Sequence, residues 1–197
     1  MNEIIENSLL QSYSYQEYRN HVSELVKSGK TTGHEQTLDL LHYTELNEAR
    51  LHRLDKTMAV IDEVKEALEN GTKNYLWLVI SEGWCGDAAQ ILPIINKMAL
   101  ISDKIELRIV LRDDNEPLMN LFLTNGTKSV PIVIIIDKET NEVIHHFGPR
   151  PSGAKQLILD YKAQHGLVDE QAKIDLQKWY LTDKGISTQK EIMALMQ

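Results

Sequence analysis

Two short apolar runs place the strongest constraint on how this chain can fold. Leu76–Ile80 and Ile132–Ile136 are uninterrupted apolar segments, and both are far too short to span a bilayer. A short apolar run between polar segments is typical of a strand buried on both faces. We therefore expect a layered α/β protein around a buried sheet, with no membrane-spanning segment.

Strand-like and helix-like patterns alternate through the middle of the chain. Strands are predicted at Tyr75–Ser81, Lys104–Leu111, Val130–Ile136 and Glu142–Phe147, and helices at Cys85–Leu100, from Asn115 to Gly126 and at Gly153–Gln164. Only a short polar turn separates the last two strands, so they should pair as an antiparallel hairpin. The predicted core is β-α-β-α-β-β-α with a mixed sheet.

Helical patterns precede this core. Ser14 and Glu17 have capping-box spacing ahead of an apolar stripe that stops at Gly29. A second pattern runs from Thr37 to Glu69, which is long for one globular helix, so we expect a break near Lys56.

The tail after the core is also predicted to be helical. Thr188 and Glu191 have capping-box spacing and predict a helix that starts there. The tail also has an apolar stripe, formed by Ala172, Leu176 and Trp179. We expect this stripe to pack on the core. The predicted division is a helical N-terminal extension (1–56), a core domain (57–166) and a helical C-terminal extension (167–197).

Composition excludes several classes of protein. Lys and Arg number 21 against 29 Asp and Glu, a net charge of −8, so a broad electrostatic grip on nucleic acid is not expected. The first residues carry acids where a secretory signal has Lys or Arg. A single cysteine, Cys85, forms no intramolecular disulfide and no multi-thiolate zinc site. We therefore predict a cytoplasmic, reducing location.

Neither a metal centre nor a cofactor site is predicted. The histidine spacings lack the i, i+4 pattern that places two ligands on one helical face. His145 and His146 are adjacent in a predicted strand and should point to opposite faces. No glycine-rich phosphate loop and no serine-hydrolase elbow occurs.

Cys85 lies where the first core strand passes into a helix. Unpaired backbone N–H groups and the helix dipole favour a thiolate at such a position, which makes the sulfur a nucleophile near neutral pH. Trp84 can supply a flat apolar wall, and Gly86 allows a partner chain to approach closely. The alternative is a buried, inert cysteine.

Trp84–Ala88, with Val130–Pro131 opening the third strand, resembles the thioredoxin superfamily. The active-site turn of that family usually reads W-C-G-P-C, and its proline at the position of Pro131 is cis and lies against the sulfur. The resemblance covers about Thr57 to Gly166 and is nearest to a bacterial group with W-C-G-D-A in this turn. It implies a thioredoxin-like fold and a groove and active-site turn built from Trp84, Cys85, Gly86, Asp87, Ala88, Val130 and Pro131.

Departures from the family pattern limit the chemistry. Ala88 stands where the resolving cysteine would be, so a dithiol cycle within one chain is impossible. Asp87 replaces the proline, and its charge should raise the pKa of the Cys85 thiol. Glu82 is either a stand-in for the buried acid of the family or an exposed side chain. Arg150, in the loop after the last strand, could offset Asp87, hold the carboxylate of a small thiol or peptide, or be a solvated loop residue.

These features predict a monothiol oxidoreductase acting in thiol-disulfide exchange. The Cys85 thiolate would attack a disulfide of a protein or small-thiol partner, and an external thiol would resolve the mixed disulfide. One alternative is a non-catalytic thioredoxin-fold module that holds a peptide or protein in the groove beside Trp84 and Pro131. Another is redox sensing through a Cys85–Cys85 disulfide between two chains. The sequence identifies neither the substrate nor the oligomeric state.

Overall fold

A computed structural model describes residues 2–196 of the chain. The strands are β1 (Tyr75–Ser81), β2 (Ile105–Leu111), β3 (Ile132–Asp137) and β4 (Glu142–Phe147). The helices are α1 (Glu3–Leu10), α2 (Tyr15–Lys27), α3 (Leu38–Thr57), α4 (Asp62–Glu69), α5 (Gly86–Ala99), α6 (Glu116–Leu121), α7 (Ser152–His165), α8 (Glu170–Asp183) and α9 (Ile186–Ala194).

The strands form one mixed sheet in the order β2-β1-β3-β4. β1 runs parallel to β2, with Val79 opposite Ile109, and antiparallel to β3. β3 and β4 pair as the predicted antiparallel hairpin. The α/β class, the mixed sheet and the order of core elements are confirmed. Helices α1 and α2 pack on β2, whereas α8 packs on α7 and α9 packs on α4 and α5.

The core lies on both faces of the central strands. Every residue of β1 and β3 is buried, as the two apolar runs predicted. α5 packs between the sheet and α3, and it is buried along most of its length. The first turn of α5 is therefore held rigidly at the carboxyl end of β1.

The N-terminal helices match the predicted pattern closely. The capping box of α2 is present, with Ser14 and Glu17 bonded reciprocally, and the long helical pattern breaks after Thr57. α1 was not predicted. The linker after α1 adds a bridge to the edge of β2, because Tyr13 exchanges two backbone hydrogen bonds with Ile109 at 2.7 and 2.8 Å. This bridge partly covers an otherwise free strand edge.

The C-terminal tail packs on the core through α8, as predicted. Ala172 and Leu176 are buried. The predicted helix start at Thr188 is wrong, because α9 begins at Ile186 and Thr188 is buried inside it. Gly185 follows α8 with a φ of +77°, a left-handed backbone that glycine adopts without strain, and this turn lets α9 begin at once. No helix within residues 2–196 is both long and apolar enough to cross a membrane.

Candidate functional site at the start of α5

The turn that connects β1 to α5 carries the cysteine. Cys85 is the N-cap residue of α5, with an extended backbone (φ −81°, ψ 115°). Its side chain therefore lies at the start of the helix, and the backbone N–H groups of Asp87 and Ala88 lower the pKa of its thiol.

The Cys85 sulfur also contacts the segment that precedes β3. Sγ donates a hydrogen bond 3.2 Å long to the carbonyl oxygen of Val130. The Val130–Pro131 peptide bond is cis, and both residues are buried. A thiolate has no proton to donate, so this contact belongs to the protonated thiol.

Burial and charge keep the Cys85 thiol protonated. The residue is 8% exposed, and burial is the largest cause that raises the pKa of its thiol, to about 12. The carboxylate of Asp87 raises this pKa further, as expected from its replacement of the family's proline. The two backbone N–H groups and Arg150 lower it by less. Burial and Asp87 therefore outweigh the pKa-lowering effect of the helix N-terminus, and Cys85 is expected to be a thiol at neutral pH.

Asp87 is the centre of a buried polar cluster. Its carboxylate forms an ion pair with Arg150 at 2.8 Å and accepts a hydrogen bond of 2.8 Å from the Tyr180 hydroxyl. Burial raises the pKa of Asp87, against the opposing effect of Arg150. Arg150 is thus bonded to Asp87 and is not a solvated loop residue. Sequence reasoning missed Tyr180, although its place four positions after Leu176 extends the buried stripe of α8.

Glu82 is fully buried, so the alternative of an exposed side chain is wrong. Its carboxylate accepts hydrogen bonds from the Thr32 hydroxyl and, at 3.1 Å, from the Asp113 backbone N–H. Thr32 accepts in turn from the Gly83 N–H at 2.8 Å. Burial raises the pKa of Glu82 to about 7. Glu82 therefore anchors the loop before α3 to the turn that carries Cys85.

Trp84 lies at the edge of the site, partly exposed. The guanidinium of Arg112 is 4.7 Å from the centre of its ring, a favourable cation–π geometry. Arg112 is held by Asp113 through a hydrogen bond of 2.8 Å. This stacking holds the indole at the edge of the site.

A cleft of about 710 Å³ opens beside Cys85. It lies between α3 and α8, and we call it the α3–α8 cleft. Its floor is formed by Trp84, Cys85, Gly86 and Asp87. Its walls include Leu40, Tyr43, Leu46, Asn47, Arg50, Arg53, Gln90, Arg150, Glu170, Lys173, Ile174, Leu176, Gln177, Lys178 and Leu181. Val130 and Pro131 are buried and do not line it.

The side chains from α3 and α8 were not identified from the sequence. Asn47 donates a hydrogen bond of 2.9 Å to the Gly83 carbonyl, and Arg50 donates to Asn47. On the other wall, Gln90 donates to Gln177 at 2.7 Å. The available signal was helical spacing, which places Asn47 on the same buried face of α3 as Thr44, Leu51 and Leu54.

The described part of the chain holds no group of three His, Cys, Asp or Glu side chains that could bind a metal ion. His145 and His146 are both exposed on β4.

Comparison with known proteins places the chain in a family. A designed epitope scaffold carrying an HIV epitope, known from a crystal structure, is similar over 93% of this chain and 98% of its own, with 18% identity and a TM-score of 0.57. A Pseudomonas aeruginosa protein of unknown function is 21% identical, over 83% of this chain and 95% of its own, with a TM-score of 0.49. No curated protein matches significantly. A family model described as Thioredoxin matches residues 33–166, which is more than half of the chain, and the chain therefore belongs to this thioredoxin family.

Proposed function

We propose that this protein is a non-catalytic thioredoxin-like binding module that holds its ligand in the α3–α8 cleft, with Cys85 as an unreactive thiol. The observation that carries the proposal is the hydrogen bond from Cys85 Sγ to the Val130 carbonyl in a side chain that is 8% exposed. A thiol that donates, and whose pKa is raised to about 12 by burial and Asp87, lacks the thiolate that exchange requires.

The burial of Val130 and Pro131 supports the cleft as the binding surface. A ligand strand needs exposed backbone to pair with beside the cis peptide bond, and both residues are enclosed. The cleft, in contrast, is open, has a volume suited to a small ligand, and combines apolar walls with several polar groups.

Ala88 provides a separate argument. It occupies the position of a resolving cysteine and is buried, so no second thiol of this chain can release a mixed disulfide. A binding module needs no such group.

The test is the reactivity of Cys85 in the folded protein. Alkylation by iodoacetamide between pH 6 and 10 should give an apparent thiol pKa above the ~8.5 of a free cysteine, and reduction of a small disulfide in excess external thiol should not depend on Cys85. Cys85→Ser is the matched variant. A depressed pKa together with disulfide reduction that Cys85→Ser abolishes would overturn the proposal.

A second candidate is monothiol exchange through Cys85. It is favoured by the backbone N–H groups of Asp87 and Ala88, which lower the pKa of the Cys85 thiol and would stabilise a thiolate once it forms. In that reaction the thiolate attacks a disulfide, one sulfur leaves as a thiol, and a mixed disulfide remains. An external thiol then attacks the mixed disulfide, which frees Cys85 and carries the bound sulfur away in a new disulfide.

Location and partner class belong to the same proposal. A cytoplasmic site of action is supported by the single cysteine, and a partner other than nucleic acid is supported by the net charge of −8.

A further inference from the structure

The walls of the α3–α8 cleft expose apolar side chains. Leu46 on α3 is 47% exposed, and Ile174 and Leu181 on α8 are 49% and 62% exposed. All three line the cleft. Large aliphatic side chains grouped around a concave surface mark a site that removes an apolar ligand from water.

Two arginines lie in the same cleft without a carboxylate partner. Neither Arg50 nor Arg53 forms an ion pair within residues 2–196. The two acids that line the cleft are each paired with another cation of its lining, because Asp87 pairs with Arg150 and Glu170 pairs with Lys173. Unpaired cationic charge is concentrated here in a chain whose net charge is −8.

Arg50 is held in place before any ligand arrives. Its Nη1 donates to the Asn47 side chain, which is itself buried and bonded to the Gly83 carbonyl. The same Nη1 lies 3.6 Å from where a Cβ would stand on Gly86, so the guanidinium sits over the floor of the cleft. Its other N–H groups are free to donate to an anion, and a positioned guanidinium binds planar oxyanions well.

We propose that the α3–α8 cleft binds an aliphatic chain that carries a single anionic head group. The head binds Arg50, supported by Arg53, and the chain lies along Leu46, Ile174 and Leu181. The site is formed by α3 and α8, and it needs no chemistry at Cys85. This inference rests on the proposed function only in taking the cleft as the ligand site.

Titration calorimetry with dodecanoate below its micelle concentration tests this directly. We expect one-to-one binding that weakens with added salt. Dodecyl phosphate tests whether the head must be a carboxylate, and binding of either compound supports the proposed class. Acetate, which has the head alone, and dodecyltrimethylammonium, which has the same chain and a positive head, should not bind measurably.

Variants separate the contributions of head and chain. Arg50→Met should weaken dodecanoate binding by about tenfold or more, the effect of losing one charge-assisted hydrogen bond. Leu181→Asn is an exposed change that should leave folding intact and also weaken binding. Lys138→Gln, at the opposite end of the sheet, is the matched control for charge and should bind as the wild type does.

The outcomes distinguish failure of the inference from failure of the proposed function. Equal binding of the cationic and anionic chains, no binding of either anion, or binding unchanged in both Arg50→Met and Leu181→Asn would overturn the inference. Disulfide reduction that requires Cys85 would overturn the non-catalytic function instead.

Discussion

The Tyr180 hydroxyl donates a hydrogen bond of 2.8 Å to the carboxylate of Asp87, a residue 93 positions earlier in the chain. Through this contact α8, in the C-terminal tail, is bonded to the first turn of α5. Arg150 bonds the same carboxylate at 2.8 Å, so three distant segments meet at one buried group. The tail is therefore a structural component of the site.

Removal of the Tyr180 hydroxyl should destabilise the protein. Tyr180→Phe leaves the buried Asp87 carboxylate with one fewer donor, and we expect the free energy of unfolding to fall by about 1–2 kcal/mol. Urea unfolding followed by circular dichroism measures this. Tyr13→Phe removes the hydroxyl of a partly exposed tyrosine and is the matched control, with no expected change. Equal stability of Tyr180→Phe and the wild type would show that the hydrogen bond does not stabilise the fold.

Neutralising Asp87 should make the cysteine more reactive. Asp87 is the second-largest cause of the raised pKa of Cys85, after burial. In Asp87→Asn that charge is lost and Arg150 is left unpaired near the sulfur, and both effects lower the thiol pKa. Alkylation at pH 8 should therefore be several-fold faster than in the wild type, and Asp114→Asn, an exposed change, should leave the rate unaltered. A slower rate in Asp87→Asn would contradict this electrostatic account.

The fold was largely predictable because strands and helices here follow simple periodic patterns. The apolar runs of β1 and β3 and the capping box of α2 are local signals, and all three are confirmed. α1 was not predicted because its residues show no strong apolar stripe. Its structural role is to bring Tyr13 to the edge of β2. The start of α9 depends on the left-handed backbone of Gly185. The capping-box spacing at Thr188 therefore predicted the wrong start for this helix.

The site was predictable only where one segment determines it. The turn around Cys85 could be located from residue types at a strand-to-helix junction. The cleft could not, because Arg50 and Tyr180 reach the turn by tertiary packing of helices far apart in the chain. Charge alone predicted that Asp87 raises the pKa of the Cys85 thiol. The burial that raises this pKa most depends on the tertiary packing of the folded chain.

Glu82 should make stability depend on pH. Its pKa is raised from 4.5 to about 7 in the folded state, so the folded protein binds this proton more tightly than the unfolded chain does. The associated stability is fully present below about pH 4.5 and is lost as pH rises through 7, by about 3 kcal/mol in total. Glu82→Gln cannot titrate.

The unfolding free energy of Glu82→Gln relative to the wild type should therefore increase between pH 4.5 and 8. Urea unfolding at several pH values measures this difference, which removes the contributions of other titrating groups. Glu45→Gln, on the exposed face of α3, should follow the wild-type pH profile. A parallel profile for Glu82→Gln would mean that the carboxyl titrates alike in both states.

Two glycines near helix starts should respond oppositely to alanine. A Cβ on Gly153, in α7, would lie 2.8 Å from Cζ2 of Trp179 on α8. The packed ring must move, so Gly153→Ala should destabilise by about 1–3 kcal/mol.

A Cβ on Gly86, the first residue of α5, meets its nearest atoms at 3.6 Å, an ordinary contact. Gly86→Ala should therefore be neutral or stabilise by up to about 1 kcal/mol, because alanine restricts the unfolded chain. The urea midpoints of the two variants test this difference. If Gly86→Ala were as unstable as Gly153→Ala, the side chains of Arg50 and Gln177 would not leave room for a methyl group at Gly86.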